Sequence, residues 1–204
     1  MRSPRGHPLL ASLIDLIMRP LEPLRDKIVP GARGRVLEVG VGTGLNLPRY
    51  RPDQLQHLVA IEPDPHMRRR AQARLAQLPE LPLELLDCGA EALPFEDASF
   101  DEAVITFTLC TIPDVHAALD ELHRVLVPGG LLRFAEHTRS DSAATAWLQA
   151  TINPVYTRLA GGCNLHRDPV GLLEEHGFVI EALHPHGRRP LNLLPVYRGI
   201  ARRP

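Results

Sequence analysis

Two glutamates and three glycines in this chain have types and spacing that suit a ligand site. Glu38 is followed by Gly40, Gly42 and Gly44 in the stretch VLEVGVGTGLNLP, and Glu62 ends the apolar run HLVAIE 18 residues past the last of those glycines. Glycines at alternate positions after a strand permit a sharp turn and a close approach of backbone to a ligand. A dinucleotide would need a small third residue at position 45, where the chain has Leu45, and Glu38 would repel its pyrophosphate. A carboxylate there favours a cation instead, and a second one ending the next strand suits a pair of ribose hydroxyls. S-adenosylmethionine carries a sulfonium and an ammonium group and no phosphate, and meets both conditions.

These residues need elements to hold them, and the apolar pattern supplies a regular alternation. Strands are expected at 35–39, 57–62, 81–87, 102–107 and 131–136, with helices at 65–77 and 114–126 and a Pro-Gly-Gly turn at 128–130. Alternation of this kind implies a parallel sheet covered on both faces. Residues 8 to about 29 form an amphipathic helical segment that Pro20 and Pro23 divide into two shorter helices. The stretch 141–176 reads as helical with a break at Gly161-Gly162. Two late strands, 178–183 and 196–202, are joined by HPHGRRPLNLLP, too short for a helical crossover, so they pair antiparallel.

With these motifs in place, the chain resembles the class I S-adenosylmethionine-dependent methyltransferases, with a methyltransferase type 11 domain. The resemblance rests on E-x-G-x-G-x-G with an acid ending strand two, on GAEALPFEDASFD at 89–101 and on LHRVLVPGGLLRF at 122–134. It implies an α/β fold: a Rossmann-like, mostly parallel seven-stranded sheet with an antiparallel last strand and helices on both faces. It further implies that Glu38, Gly40, Gly42 and Gly44 hold the methionine part of the cofactor and Glu62 the ribose, with Pro63 beside it. Gly89, Ala90 and Glu91 would lie beside the adenine and Thr106 beside the cofactor at the end of strand four. Asn46 would either contact the methionine carboxylate or cap the next helix. Many members carry an aspartate that caps the adenine amino group where this chain has Gly89, and Asp87 lies two residues earlier.

Three further stretches resemble a narrower group that includes the methyltransferase-like thiol S-methyltransferases: Leu109-Cys110, Glu136-His137 and Gly162-Cys163-Asn164-Leu165. A thiol acceptor gives His137 a role, because the thiolate is the nucleophile, a free thiol has a pKa of ~8.5, and an imidazole could take its proton or stabilise the anion; a histidine that hydrogen-bonds the loop and never meets substrate is the other reading. Cys110, Cys163 and Asn164 would line the acceptor pocket, although Cys163 also suits plain packing against Gly161-Gly162. The glycine loop resembles bacterial phosphatidylethanolamine N-methyltransferases as well, so headgroup N-methylation is an alternative, with quinone-type C-methylation a third. Outside enzymes, a sensor or scaffold that binds S-adenosylmethionine is the remaining reading.

The rest of the chain narrows these choices. Its 204 residues suit one domain: a helical lid or weak membrane contact at 1–30, a cofactor core at 31–140, a helical substrate insert at 141–176 and the final strand pair at 177–204. A net charge of −1, from 23 basic and 24 acidic residues, gives no field for nucleic acid or an anionic membrane. Arg68-Arg69-Arg70 reads as a solvated helix face. Cys88, Cys110 and Cys163 are odd in number and lack C-x-x-C spacing, as expected of thiols in a reducing compartment, and no run approaches the ~20 apolar residues of a membrane span. The expected location is cytoplasmic. His184 and His186 form H-P-H without accompanying cysteines or acids, so no metal site is expected.

Overall fold

The computed structural model describes residues 8–186 and 193–204; Arg2 and Arg5 of the N-terminal segment and most of the loop between the last two strands lie outside the described residues. The strands are β1 (Gly34–Val39), β2 (Leu55–Ile61), β3 (Leu83–Leu86), β4 (Phe100–Thr106), β5 (Leu126–His137), β6 (Val179–His186) and β7 (Val196–Arg202). They form one sheet in the order β3-β2-β1-β4-β5-β7-β6. β1 to β5 run parallel, while β7 is antiparallel to both β5 and β6. The α/β architecture read from the sequence is therefore the observed one.

Successive strand residues face opposite sides, so each half of the alternation builds its own core. Leu37, Val59, Ala103, Ile105, Leu132 and Phe134 pack on one face against Leu119 and Leu122 of α4 (Val115–Val125) and Leu173 of α6 (Pro169–Glu175). Val36, Leu58, Ala60, Val104 and Ala135 pack on the other against Leu24 and Ile28 of α2 (Glu22–Ile28) and Ala71 of α3 (Pro65–Leu75). Side-chain caps set the starts of four helices: Asp64 accepts from His66 and Met67 ahead of α3, Asp114 from Ala117 ahead of α4, Ser142 from Thr145 ahead of α5 (Ala143–Leu159), and Asp168 from Gly171 ahead of α6.

As expected, the N-terminal segment is divided, into α1 (Pro8–Met18), a 3₁₀ turn and α2, because Pro20 and Pro23 each begin a new helical piece. The expected turn at 128–130 is corrected: β5 runs through it. Gly129, with φ 81°, donates to Arg203 and Gly130 accepts from Arg203, so the Pro-Gly-Gly stretch is held in the ladder as an irregularity. β3 is shorter than 81–87. α5 (Ala143–Leu159) and α6 divide the 141–176 segment on either side of the predicted glycine break. Among the described residues, no helix is long and apolar enough to cross a membrane.

Candidate active site

Glu38 and Glu62, the loop Gly40–Gly44, Thr106 and His137 all stand at the carboxyl ends of β1, β2, β4 and β5, where open α/β sheets bind ligands. Gly40 shows why the loop needs glycine. Its φ is +69° and a Cβ there would lie 2.3 Å from Thr108 Cγ2, so the loop after β1 meets the loop after β4 backbone to side chain. Gly42 donates its amide to Glu62 Oε2 at 2.9 Å, and Asp64 donates to Glu62 Oε1 at 2.9 Å. Each carboxylate oxygen of Glu62 thus has a lone pair left. Burial raises the pKa of Glu62, against the lowering effect of those two amides.

Glu38 is 1% exposed. Its Oε1 accepts from Asn46 Nδ2 at 2.8 Å, whereas Oε2 and the buried Tyr50 hydroxyl make no well-formed hydrogen bond among the described residues. Burial pushes the Glu38 carboxyl up to about 7, opposed by Tyr50, Asn46 and Arg25. Asn46 does not cap the following 3₁₀ turn with its side chain, which corrects that reading. Its amide instead ties Glu38 to Thr106, whose Oγ1 is 3.0 Å away.

Arg25 of α2 completes this cluster and escaped the sequence reading. Its Nη1 donates to Asn46 Oδ1 at 2.8 Å and to Thr106 Oγ1 at 2.5 Å, its guanidinium lies over the Phe107 ring, and burial lowers its pKa to about 10. An arginine beside Leu24 in an amphipathic helix gives no sign that it faces inward. Asp15 of α1 was missed too: it accepts from Thr43 in the glycine loop, Arg70 and Arg74, and so fastens α1 over that loop. Leu9, Leu13 and Ile17 of α1 remain exposed, while Leu24 joins the core. Arg68 is not simply solvated either, since it bonds the Glu62 carbonyl and Asp87.

Gly89, Ala90 and Glu91 follow β3. A Cβ at Gly89 would lie 2.7 Å from Glu91 Oε2, so the Glu91 carboxylate comes up to the spot from which an aspartate at 89 would extend. Asp87 points instead to Arg68 at 2.7 Å.

At the ends of β4 and β5 the chain takes a strained turn. Phe107 has φ 57°, rare for a bulky residue, and the turn after it presents the amides of Thr108 and Leu109 to Glu136 Oε1 at 2.6 and 3.1 Å. Burial pushes Glu136 up to about 7. The next residue, His137, has its Nε2 2.9 Å from Cys163 Sγ, which is 3.4 Å from Cys110 Sγ. The loop carrying Cys163 is held by the buried Asn153, which accepts from the Leu165 amide at 2.8 Å, and by Asn164, whose amide and side chain both donate to the Cys110 carbonyl. Cys163 therefore does more than pack on its glycines. Its contacts with Cys110 and His137 lower its pKa, while the contact with Cys163 and burial raise that of Cys110. Burial alone would lower the pKa of His137, but the adjoining Cys163 holds it above its ordinary value. An open groove of about 740 Å³ lies alongside, walled by residues such as His116, Asn164 and Arg167, and none of Cys110, His137 and Cys163 lines it.

The Methyltransferase domain family matches residues 37–134. A thiol S-methyltransferase of Homo sapiens is 32% identical over 175 residues, covering 83% of this chain and 70% of that protein. The chain belongs to the S-adenosylmethionine-dependent methyltransferases. A phosphatidylethanolamine N-methyltransferase of Cereibacter sphaeroides is also similar to this methyltransferase, 34% identical over 123 residues and 58% of each chain. A crystal structure of a Bacillus halodurans protein matches with TM-score 0.74 over 91% of this chain and 99% of its own; at 18% identity that likeness shows the fold alone. The cofactor of the family is S-adenosylmethionine, and the residues present suit it: Glu38 and Glu62 put two carboxylates at adjacent strand ends, as a cationic, ribose-bearing ligand requires, and Glu38 Oε2 is buried with no well-formed hydrogen bond among the described residues.

Proposed function

We propose that this methyltransferase moves the methyl group of S-adenosylmethionine to a thiol of a small or lipophilic acceptor. The observation that carries the reading is the buried Cys110, His137 and Cys163 cluster at the ends of β4 and β5, beside the strand ends that bear Glu38 and Glu62. Glu38, the glycine loop and Asn46 hold the methionine portion; Glu62 and Pro63 hold the ribose; Gly89, Ala90 and Glu91 flank the adenine; Thr106 sits beside the sulfonium. When bound, the cofactor supplies an activated methyl on a positive sulfur. The chain's own part is to align the acceptor in line with that methyl, exclude water, and favour the acceptor's thiolate, the last through His137 and the thiols beside it. The similarity to the human thiol S-methyltransferase supports this acceptor class.

The exposed Leu9, Leu13, Leu16 and Ile17 of α1 favour a second reading, a phospholipid amine reached at a vesicle surface. S-adenosylhomocysteine release is measured with an alkyl thiol, with hydrogen sulfide and with phosphatidylethanolamine vesicles. Turnover with a thiol, falling about 10²-fold in His137→Ala, is the expected result. Turnover with vesicles alone overturns it in favour of the lipid.

A further inference from the structure

Three metal-binding side chains meet in this fold from places far apart in the sequence. Cys110 follows β4, His137 ends β5, and Cys163 lies in the loop between α5 and α6. Their donor atoms all lie within 4.8 Å of one another, and all three residues are buried. Ligands around a tetrahedral zinc, at ~2.0–2.3 Å from the ion, stand about 3.5–3.8 Å apart. The separations of 2.9 Å for His137 Nε2 to Cys163 Sγ and 3.4 Å between the sulfurs need to widen only slightly to admit the ion. Cys163 and His137 sit at a loop and a strand end, where such a shift is accommodated by side-chain rotation.

We propose that Cys110, His137 and Cys163 bind one zinc ion and leave its fourth position open for the acceptor sulfur. The donor set decides the metal class: two thiolates and an imidazole suit zinc and other borderline or soft ions, and exclude magnesium and calcium, which require oxygen ligands. Among the described residues the donor set holds these three alone; the neighbouring Glu136 accepts the amides of Thr108 and Leu109 at Oε1, and its buried Oε2, which makes no hydrogen bond, stands outside the set. Three protein ligands with a free position is the arrangement of a catalytic site rather than a structural one. The anchoring fits as well: Asn164 binds the Cys110 carbonyl twice, which locks the two cysteine-bearing segments together with no metal needed to fold them.

The chemistry deepens the thiol-acceptor reading and, for its open position, rests on it. An acceptor R–SH binds the zinc through sulfur and gives its proton to water. The zinc-bound thiolate sulfur attacks the methyl carbon; the new S–CH₃ bond forms as the carbon–sulfonium bond breaks, and S-adenosylhomocysteine leaves neutral. The product thioether no longer carries charge, is a poor zinc ligand, and dissociates. Two cysteine thiolates balance the ion, so only the acceptor thiolate makes the centre anionic, opposite a cationic methyl donor.

The test uses the full chain, reduced with a phosphine and stripped of metal, titrated with Co²⁺ and then Zn²⁺. One cobalt per chain is expected, with thiolate-to-cobalt charge transfer and the visible bands of a tetrahedral ion, displaced by Zn²⁺. Cys110→Ser and Cys163→Ser should each weaken Zn²⁺ binding at least 10²-fold, while Cys88→Ser, which alters a cysteine outside the cluster, should leave it unchanged. An alkyl thiol added without any methyl donor should shift the cobalt spectrum. Thermal unfolding and S-adenosylhomocysteine binding check that each variant is folded. Failure of the reduced protein to bind either ion, equal binding by the Cys110→Ser/Cys163→Ser double variant, or full thiol turnover under chelation overturns the zinc site. A cobalt spectrum unmoved by thiol overturns the open position. Stoichiometric binding without turnover of any thiol would instead sink the acceptor assignment and leave the metal site standing.

Discussion

Replacing Glu62 by alanine should weaken S-adenosylhomocysteine binding about 10²-fold, by an amount that follows from how its carboxylate is already engaged. The amides of Gly42 and Asp64 use one lone pair on each oxygen, leaving one on each for the two ribose hydroxyls. Two hydrogen bonds to a charged group are worth roughly 1.5 kcal/mol each at the low end, so their loss amounts to about 3 kcal/mol, or somewhat over 10²-fold in affinity. Alanine also frees two loop amides, which would weaken binding without any ribose contact. A thermodynamic cycle separates the two effects. Isothermal titration is run on parent and variant with S-adenosylhomocysteine and with its 2′-deoxy analogue. Losing the hydroxyl should cost the parent about tenfold and the Glu62→Ala variant almost nothing. An equal cost in both proteins would show that Glu62 never touches the ribose and refute the reasoning, however weak the variant binds.

The remaining predictions concern the same crevice. Arg25→Met removes a buried guanidinium that satisfies Asn46 and Thr106 and faces Glu38, and should lower stability by about 3–5 kcal/mol in urea unfolding; a loss below 1 kcal/mol would mean that Arg25 is solvated. Glu38 has its folded pKa raised to about 7 from 4.5, so between those values the native state holds a proton the unfolded state releases, and this carboxyl's contribution to stability declines as pH rises through the window. A cationic ligand requires the ionised form, so cofactor affinity should rise with pH up to about 7 and level off above it. Glu38→Gln should flatten the affinity profile in titration measurements and make the stability profile shallower in thermal ones, where Glu136, also raised to about 7, keeps its own share of the slope. If Glu91 takes the place of the absent aspartate, Glu91→Ala should bind S-adenosylhomocysteine and its inosine analogue equally, whereas the parent should favour the adenine form by about tenfold; equal binding by the parent would refute the contact.

The sheet and the two glutamates were legible because the signals were local. Alternating apolar residues define strands, and β7 has the bounds 196–202 read from its own pattern. The Pro-Gly-Gly stretch misled because its two glycines carry turn chemistry, while the pairing that keeps it in β5 comes from Arg203, more than 70 residues away. Arg25 was hidden for a related reason: α2 shows which of its residues are apolar but not which of its polar residues meets Asn46 across the core. Cys110 and Cys163 read as pocket-lining thiols by resemblance, and their direct contact stayed hidden because the cysteine patterns that declare a shared site have short spacings. Here 53 residues separate Cys110 from Cys163, and only the loop closure by Asn153 and Asn164 brings them together.

The strand order has a consequence for how the protein is made. β6 leaves the ribosome before β7, yet β7 is the strand that lies between β5 and β6. Until β7 arrives, β5 has an open edge and β6 has nothing to join. The carboxyl end of β5, where His137 pairs with Val196 and Glu136 with Tyr197, is therefore completed by a late insertion rather than by simple addition at an edge. Nascent chains stalled before residue 196 should consequently expose the β5 edge to chaperones and to other chains, and the glycine-loop half of the sheet should acquire protection from hydrogen exchange before the thiol half does.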